Sequence, residues 1–142
     1  MRFAHGAGAR RGRAPAAAAA AGGALIAGGA ALPWLSLFAG LQTYSGLIGG
    51  YGRLLFAGGM IAIAGGIAAA ARPARWIRPT VGALGVLLAL FTSWLLVGLA
   101  ATIEELATHP LVIARAGPGL YVSLAGALIV TLSALPLGFR RE

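Results

Sequence analysis

Four stretches of this 142-residue chain stay apolar for long enough to be read as spanning helices. The hydrocarbon core of a bilayer is about 30 Å thick, so a spanning helix needs about 20 mostly apolar residues. The first stretch begins near Ala16, reaches Leu32 and can run past Pro33 to Phe38. The others cover residues 54–71, 81–101 and 120–137, and no charged residue interrupts any of the four. Hydrocarbon offers no water to the backbone, so each stretch must satisfy its own N–H and C=O groups, which a helix does. The pattern predicts an all-α integral membrane protein with a four-helix transmembrane bundle. One domain covers residues 16–138, between a basic tail at 1–15 and a short tail at 139–142. Residues 36–38 and 42–45 read as a short extracytoplasmic hairpin across 39–41. A coil or helical turn is the alternative there, because glycine weakens strands.

Composition strengthens the membrane reading. Hydrophobic residues make up 59% of the chain and charged ones 10%, against about 25% charged in soluble domains. Mean hydropathy is +0.88. A formal charge of +8 invites a nucleic-acid reading, but a chain this apolar lacks the polar surface for one, and no nucleic-acid partner is expected. Cysteine is absent, which removes disulfides, thiolate metal sites and a cysteine nucleophile. Lysine, aspartate and asparagine are absent too. The resulting bias to Ala, Gly and Arg points to a GC-rich bacterial genome, and hence to a bacterial inner membrane.

Arginine placement predicts orientation. Arg2, Arg10, Arg11, Arg13, Arg72, Arg75, Arg78, Arg140 and Arg141 fall on one side of a four-span chain, and only Arg53 and Arg115 on the other. Cytoplasmic loops carry the excess of Arg and Lys, so both termini are expected in the cytoplasm. A second reading of the N-terminus stays open. Arg10–Arg13, an Ala-rich stretch and small residues near Gly29 also fit a secretory signal peptide, although the apolar run exceeds the usual length of about 7–15 residues.

Small residues recur every four positions. Gly58, Ala62, Gly66 and Ala70 mark one face of the second span. Gly85, Ala89 and Ser93 do so in the third, and Gly119, Ser123, Ala127 and Thr131 in the fourth. Small-xxx-small faces let membrane helices approach closely. They serve either packing within the bundle or docking of a partner. The tight inner loop holds Arg72, Arg75, Trp76 and Arg78, which suit lipid headgroups and the interfacial aromatic belt. Pro118 reads as the start of the last span.

Candidate chemistry is sparse. Thr92, Ser93 and Trp94 sit near the middle of the third span, where hydroxyls can bond back to carbonyls. No ionisable residue accompanies them, which argues against an ion or proton path. Glu105 and His109 stand four apart, with Glu104, Arg115 and Arg53 as possible companions. Thr102 and Glu105 match a capping box that predicts a short helix stopped near Pro110. Two ligands are too few for a structural zinc site, a pH-sensing His109 is one reading, and a solvated loop with local ion pairs is the plainer one. No nucleophile accompanies them, so no catalytic residue, metal or cofactor is expected. Trp34, Leu41, Tyr44, Ile48, Tyr51, Glu105, His109 and Arg115 are the outer-loop candidates for contact with a partner or ligand. Both outer loops exceed the usual helix–helix connection of about 2–8 residues, so residues 34–52 and 102–119 are expected to form one common cap.

Pro33-Trp34, the Arg/Pro/Trp inner loop and Gly117-Pro118-Gly119-Leu120-Tyr121 give a plan that resembles small four-span membrane proteins of actinobacteria, including the tryptophan-associated transmembrane type. The layout is also similar to claudin-like bundles with a small outer sheet, although the cysteine pair of claudins is missing. The resemblance implies a four-helix bundle and no catalytic residue. The expected function is a small non-enzymatic accessory or scaffold subunit, packing against a larger membrane complex or itself. The alternative is a protein that binds or transports a small molecule, lipid or quinone, with Thr92, Ser93, Trp94, Tyr44 and Tyr51 lining its cavity. A weaker third reading is an enzyme acting through Glu105 and His109.

Overall fold

The computed structural model describes residues 6–72 and 74–135. Four helices dominate: α1 (Gly6–Ala31), α2 (Gly50–Ala71), α3 (Ile77–Ala107) and α4 (Gly119–Ala134). A small sheet joins them, made of β1 (Pro33–Leu37), β2 (Gln42–Ser45) and β3 (Arg115–Ala116) in the order β2-β1-β3. Three helices are long and apolar enough to cross a membrane, within Arg13–Ala31, Gly50–Ala71 and Ile77–Ala107. The apolar α4 has 16 described residues, about 24 Å of helix.

Several boundaries differ from the hydropathy reading. Helix α1 starts at Gly6, so part of the expected basic tail is helical, with Pro15 inside the helix. Its missing N–H costs one backbone bond there. The first helix ends at Ala31 instead of running on to Phe38, because residues 33–37 pair as β1. Arg78 and Pro79 belong to the first turn of α3 and not to a loop, a place where proline is tolerated. The separate short helix read from Thr102 and Glu105 does not form, since α3 runs on through Thr102 to Ala107. Thr102 Oγ1 donates to the Gly98 carbonyl at 3.0 Å, so this threonine lies within the helix and caps nothing. The expected tail at 139–142 lies outside the described residues.

The hairpin forms close to where the sequence places it. Leu37 faces Gln42, Ser36 faces Thr43 and Leu35 faces Tyr44, antiparallel, with a bulge at Trp34. Its turn is tight: Phe38, Ala39 and Gly40 all have positive φ, at 53°, 57° and 99°. These three successive positive-φ residues reverse the chain within the four residues between Leu37 and Gln42, and Gly40 takes its place without a Cβ penalty. The third strand has no local signal. Leu35 faces Ala116 and Ser36 faces Arg115, and the Gly117 N–H donates to the Trp34 carbonyl at 2.8 Å. The two long connections therefore meet in one sheet beyond the end of α1.

Helix α1 is the hub. Neighbouring residues on a helix point about 100° apart, so Gly22 and Gly23 can seat two helices at once. A Cβ on Gly23 would stand 2.7 Å from the Gly59 carbonyl oxygen of α2, and one on Gly126 of α4 would stand 2.5 Å from the Gly22 carbonyl oxygen. The same antiparallel contacts continue from Gly66 to Ala20 on one side and from Gly29 to Gly119 and Ser123 on the other. Helix α3 closes the bundle more loosely, with Leu88 over Gly58, Val81 over Gly65 and Gly85 against Thr131. Ile26, Leu55, Leu120 and Val130 form the fully buried centre.

Candidate functional site

Two regions carry the polar and aromatic side chains: the sheet end of the bundle and the opposite end around Trp76. At the sheet end, Trp34 is half-buried at the β1 bulge. Its Nε1 donates to the Gly29 carbonyl at 3.1 Å. The indole lies over Gly46 and beside Gly119, where any Cβ would collide with the ring. Trp34 thus ties α1, the start of α4 and the turn after β2 together. Gly46 adds a bond from its N–H to the Leu32 carbonyl.

The remaining outer-loop candidates do not converge. Leu41 is at the hairpin tip, Tyr44 is exposed on the edge strand β2, and Ile48 is exposed in the turn before α2. Tyr51 turns away from them, edge-on to both Phe91 and Trp94 of α3, with ring centroids 6.1 and 5.7 Å apart. Glu104 and Glu105 are exposed on the last turns of α3. The helix stops at Ala107, before His109, whose N–H donates to the Leu106 carbonyl, so Glu105 and His109 do not stand on one helix. Arg115 is exposed in β3, and Arg53 Nε donates to the Leu47 carbonyl. Among the described residues, no group of three His, Asp or Glu side chains is arranged to hold a metal.

The polar triplet of α3 also divides. Thr92 is fully buried and its Oγ1 donates to the Leu88 carbonyl at 2.7 Å within its own helix. Ser93 and Trp94 are exposed. Thr92, Ser93, Trp94, Tyr44 and Tyr51 therefore line no common cavity. Ser123 is the other fully buried polar residue among those described, and its Oγ donates across helices to the Ile26 carbonyl at 3.3 Å. No buried side-chain N or O is left without a partner among the described residues.

Of the small-residue positions, Gly58, Ala62, Gly66, Gly85, Gly119, Ser123 and Ala127 are buried, while Ala89 and Thr131 are half-buried. Ala70 and Ser93 are exposed, because the helices diverge from a strict four-residue face. In α3 the buried side instead follows Gly85, Leu88 and Thr92. Sequence reasoning missed the small-residue faces of α1.

At the opposite end, Arg72, Arg75, Trp76 and Arg78 are all exposed. A cavity of about 240 Å³ opens there, walled by Ala16, Ala19, Val81 and Ala134 and lined also by Arg75 and Arg78. Its existence follows from alanines meeting where larger side chains would fill the space, which no local pattern announces. No protein-family model matches the chain, and neither a curated protein nor a solved structure matches it.

Proposed function

We propose that this protein is a small, non-enzymatic four-span membrane subunit that uses its sheet end to pack against a membrane partner. The carrying observation is the apolar surface of that end. Leu41 is 87% exposed and Leu111 86%, with Ile48 and Ile113 also well exposed. Exposed apolar surface marks interaction sites when it exceeds scattered single residues, and four such side chains stand at this one end. The long helices supply the anchor, and most of the described residues lie in the helices and the sheet.

A partner search tests this reading. The tagged protein, extracted in mild detergent, should retain a stoichiometric partner. Leu41→Ser with Ile48→Ser should release it, while the helical content and melting temperature of the bundle stay as they were. Loss of a saturable lipid or quinone ligand on the same changes, with the partner still attached, would favour the binding reading instead.

The arginine distribution supports an orientation with both termini in the cytoplasm and the sheet outside. Reporter fusions after Gly46 and His109 should report the outside, and fusions at Arg75 and Glu142 the cytoplasm. An exported C-terminus would reverse or break the four-span topology.

A further inference from the structure

Helix α3 has 31 residues, about 46 Å of helix, which exceeds a hydrocarbon core of about 30 Å. Its stagger against its neighbours shows where the excess lies. Leu88 meets Gly58 and Val81 meets Gly65, so the start of α2 at Gly50 lies level with about residue 96 of α3. Gly85 meets Thr131 and Gly82 meets Ala134, so the start of α4 at Gly119 lies level with about residue 97. Gly29, near the end of α1, sits against Gly119. Three helices end in one plane, and α3 continues past it from Gly98 to Ala107, about 15 Å.

The exposed side of α3 changes character at that plane. Before it, the exposed residues include Val86, Leu87, Leu90, Trp94 and Val97. Beyond it they are Gly98, Ala100, Ala101, Thr102, Glu104, Glu105 and Ala107, with no large apolar side chain among them. Leu99, Ile103 and Leu106 are half-buried on the other side, where β3 lies close to α3. Aromatic residues gather at the same plane: Tyr51, Trp94 and Tyr121 are 52%, 59% and 58% exposed. Phe91 stacks on Trp94, and Tyr51 meets both edge-on. At the other end stands exposed Trp76 with Arg72, Arg75 and Arg78. Trp76 and Trp94 are eighteen positions apart, about 27 Å along a helix, close to the thickness of a hydrocarbon core.

We infer that Tyr51, Trp94 and Tyr121 form an aromatic girdle that seats the protein in the outer headgroup layer of a phospholipid bilayer, and that α3 from Gly98 onward stands outside the membrane as a post for the sheet. Indole and phenol rings favour this layer because one end is apolar and the other meets water. The girdle places the boundary at about Trp94–Val97, one to two turns before the apolar run of the sequence ends at Ala101. It also lets the 16-residue α4 fit the slab, since that helix runs from the level of residue 97 to the level of Gly82. The inference rests on the spanning reading proposed above.

Single-cysteine variants test it, because the natural chain has no cysteine. Val86→Cys, Leu90→Cys, Val97→Cys, Ala101→Cys and Glu104→Cys all fall on exposed positions and should fold. Each full-length variant is spin-labelled and placed in phosphatidylcholine–phosphatidylglycerol vesicles. Collision with oxygen, which concentrates in hydrocarbon, is compared with collision with a water-soluble nickel chelate. Oxygen should dominate at residues 86 and 90, the two should balance near 97, and nickel should dominate at 101 and 104. Oxygen dominance persisting through Ala101 would overturn the girdle while leaving the spanning reading in place. Nickel dominance at all five positions would overturn both.

Discussion

Gly23→Leu and Gly29→Leu should each abolish the cooperative melting of the bundle or lower its midpoint by on the order of 10 °C in detergent, whereas Gly28→Leu should leave it nearly unchanged. The three glycines lie within one helix and differ in what stands opposite. A Cβ on Gly23 would meet the backbone of Gly59 and Ile63, and one on Gly29 would meet Ser123 and the Gly119 carbonyl. Backbone cannot move aside without parting the helices. Overpacking costs typically about 1–3 kcal/mol, and a leucine against backbone belongs at or above the top of that range. Gly28 faces open space, with nothing within 4 Å of a Cβ there. Helix propensity favours leucine over glycine by about 0.8 kcal/mol, so this substitution controls for any effect of glycine itself. The same contrast is expected between Gly66→Leu, which would press on Ala16 and Ala20, and Ile67→Leu on the exposed side of α2. Equal melting of Gly23→Leu and Gly28→Leu would mean that α1 is not the hub.

The second large effect is expected at Trp34. Trp34→Ala should cost about 2–3 kcal/mol, below the 3–5 kcal/mol typical of a fully buried aromatic because this ring is half-buried. The loss should be local in character. Without the indole over Gly46 and Gly119, the sheet loses its seat on the bundle. Hydrogen exchange of the Gly46 and Gly117 amides should then accelerate well before that of amides in the middle of α1. Trp34→Phe separates packing from the hydrogen bond. It keeps much of the ring and loses the Nε1 donation to the Gly29 carbonyl, a difference of about 1 kcal/mol. If Trp34→Ala changes exchange uniformly across the chain, the sheet and the bundle form one cooperative unit instead.

These two predictions rest on different kinds of information. The existence of four helices was legible in the sequence because apolar length and the absence of charge are local properties. The hairpin was legible for a similar reason, since the turn at 38–41 needs only its own residues. Helix ends were less so. Residues 33–37 are apolar enough to prolong the first span, yet they form a strand because partners stand on both sides of them.

What only the tertiary structure decided is the phase and stagger of the helices. In α2 and α4 some large residues alternate with small ones, and several of the marked positions are buried. From Ala16 to Ala31 every residue of α1 except Leu25 and Ile26 is Ala or Gly, so no face stands out, and the packing sides at Gly22, Gly23 and Gly29 depend on where Gly126, Gly59 and Ser123 arrive from. The strand β3 has two residues and pairs with a segment about 80 positions earlier, which no neighbouring residue encodes. Trp94 reads from hydropathy as a residue near the middle of a span. Leu88 fitting onto Gly58 sets the height of α3 against α2, and that height brings Trp94 beside Tyr51 at the start of α2. Local composition determines that a segment is helical and apolar, but depth and facing follow from the interlocking of several helices.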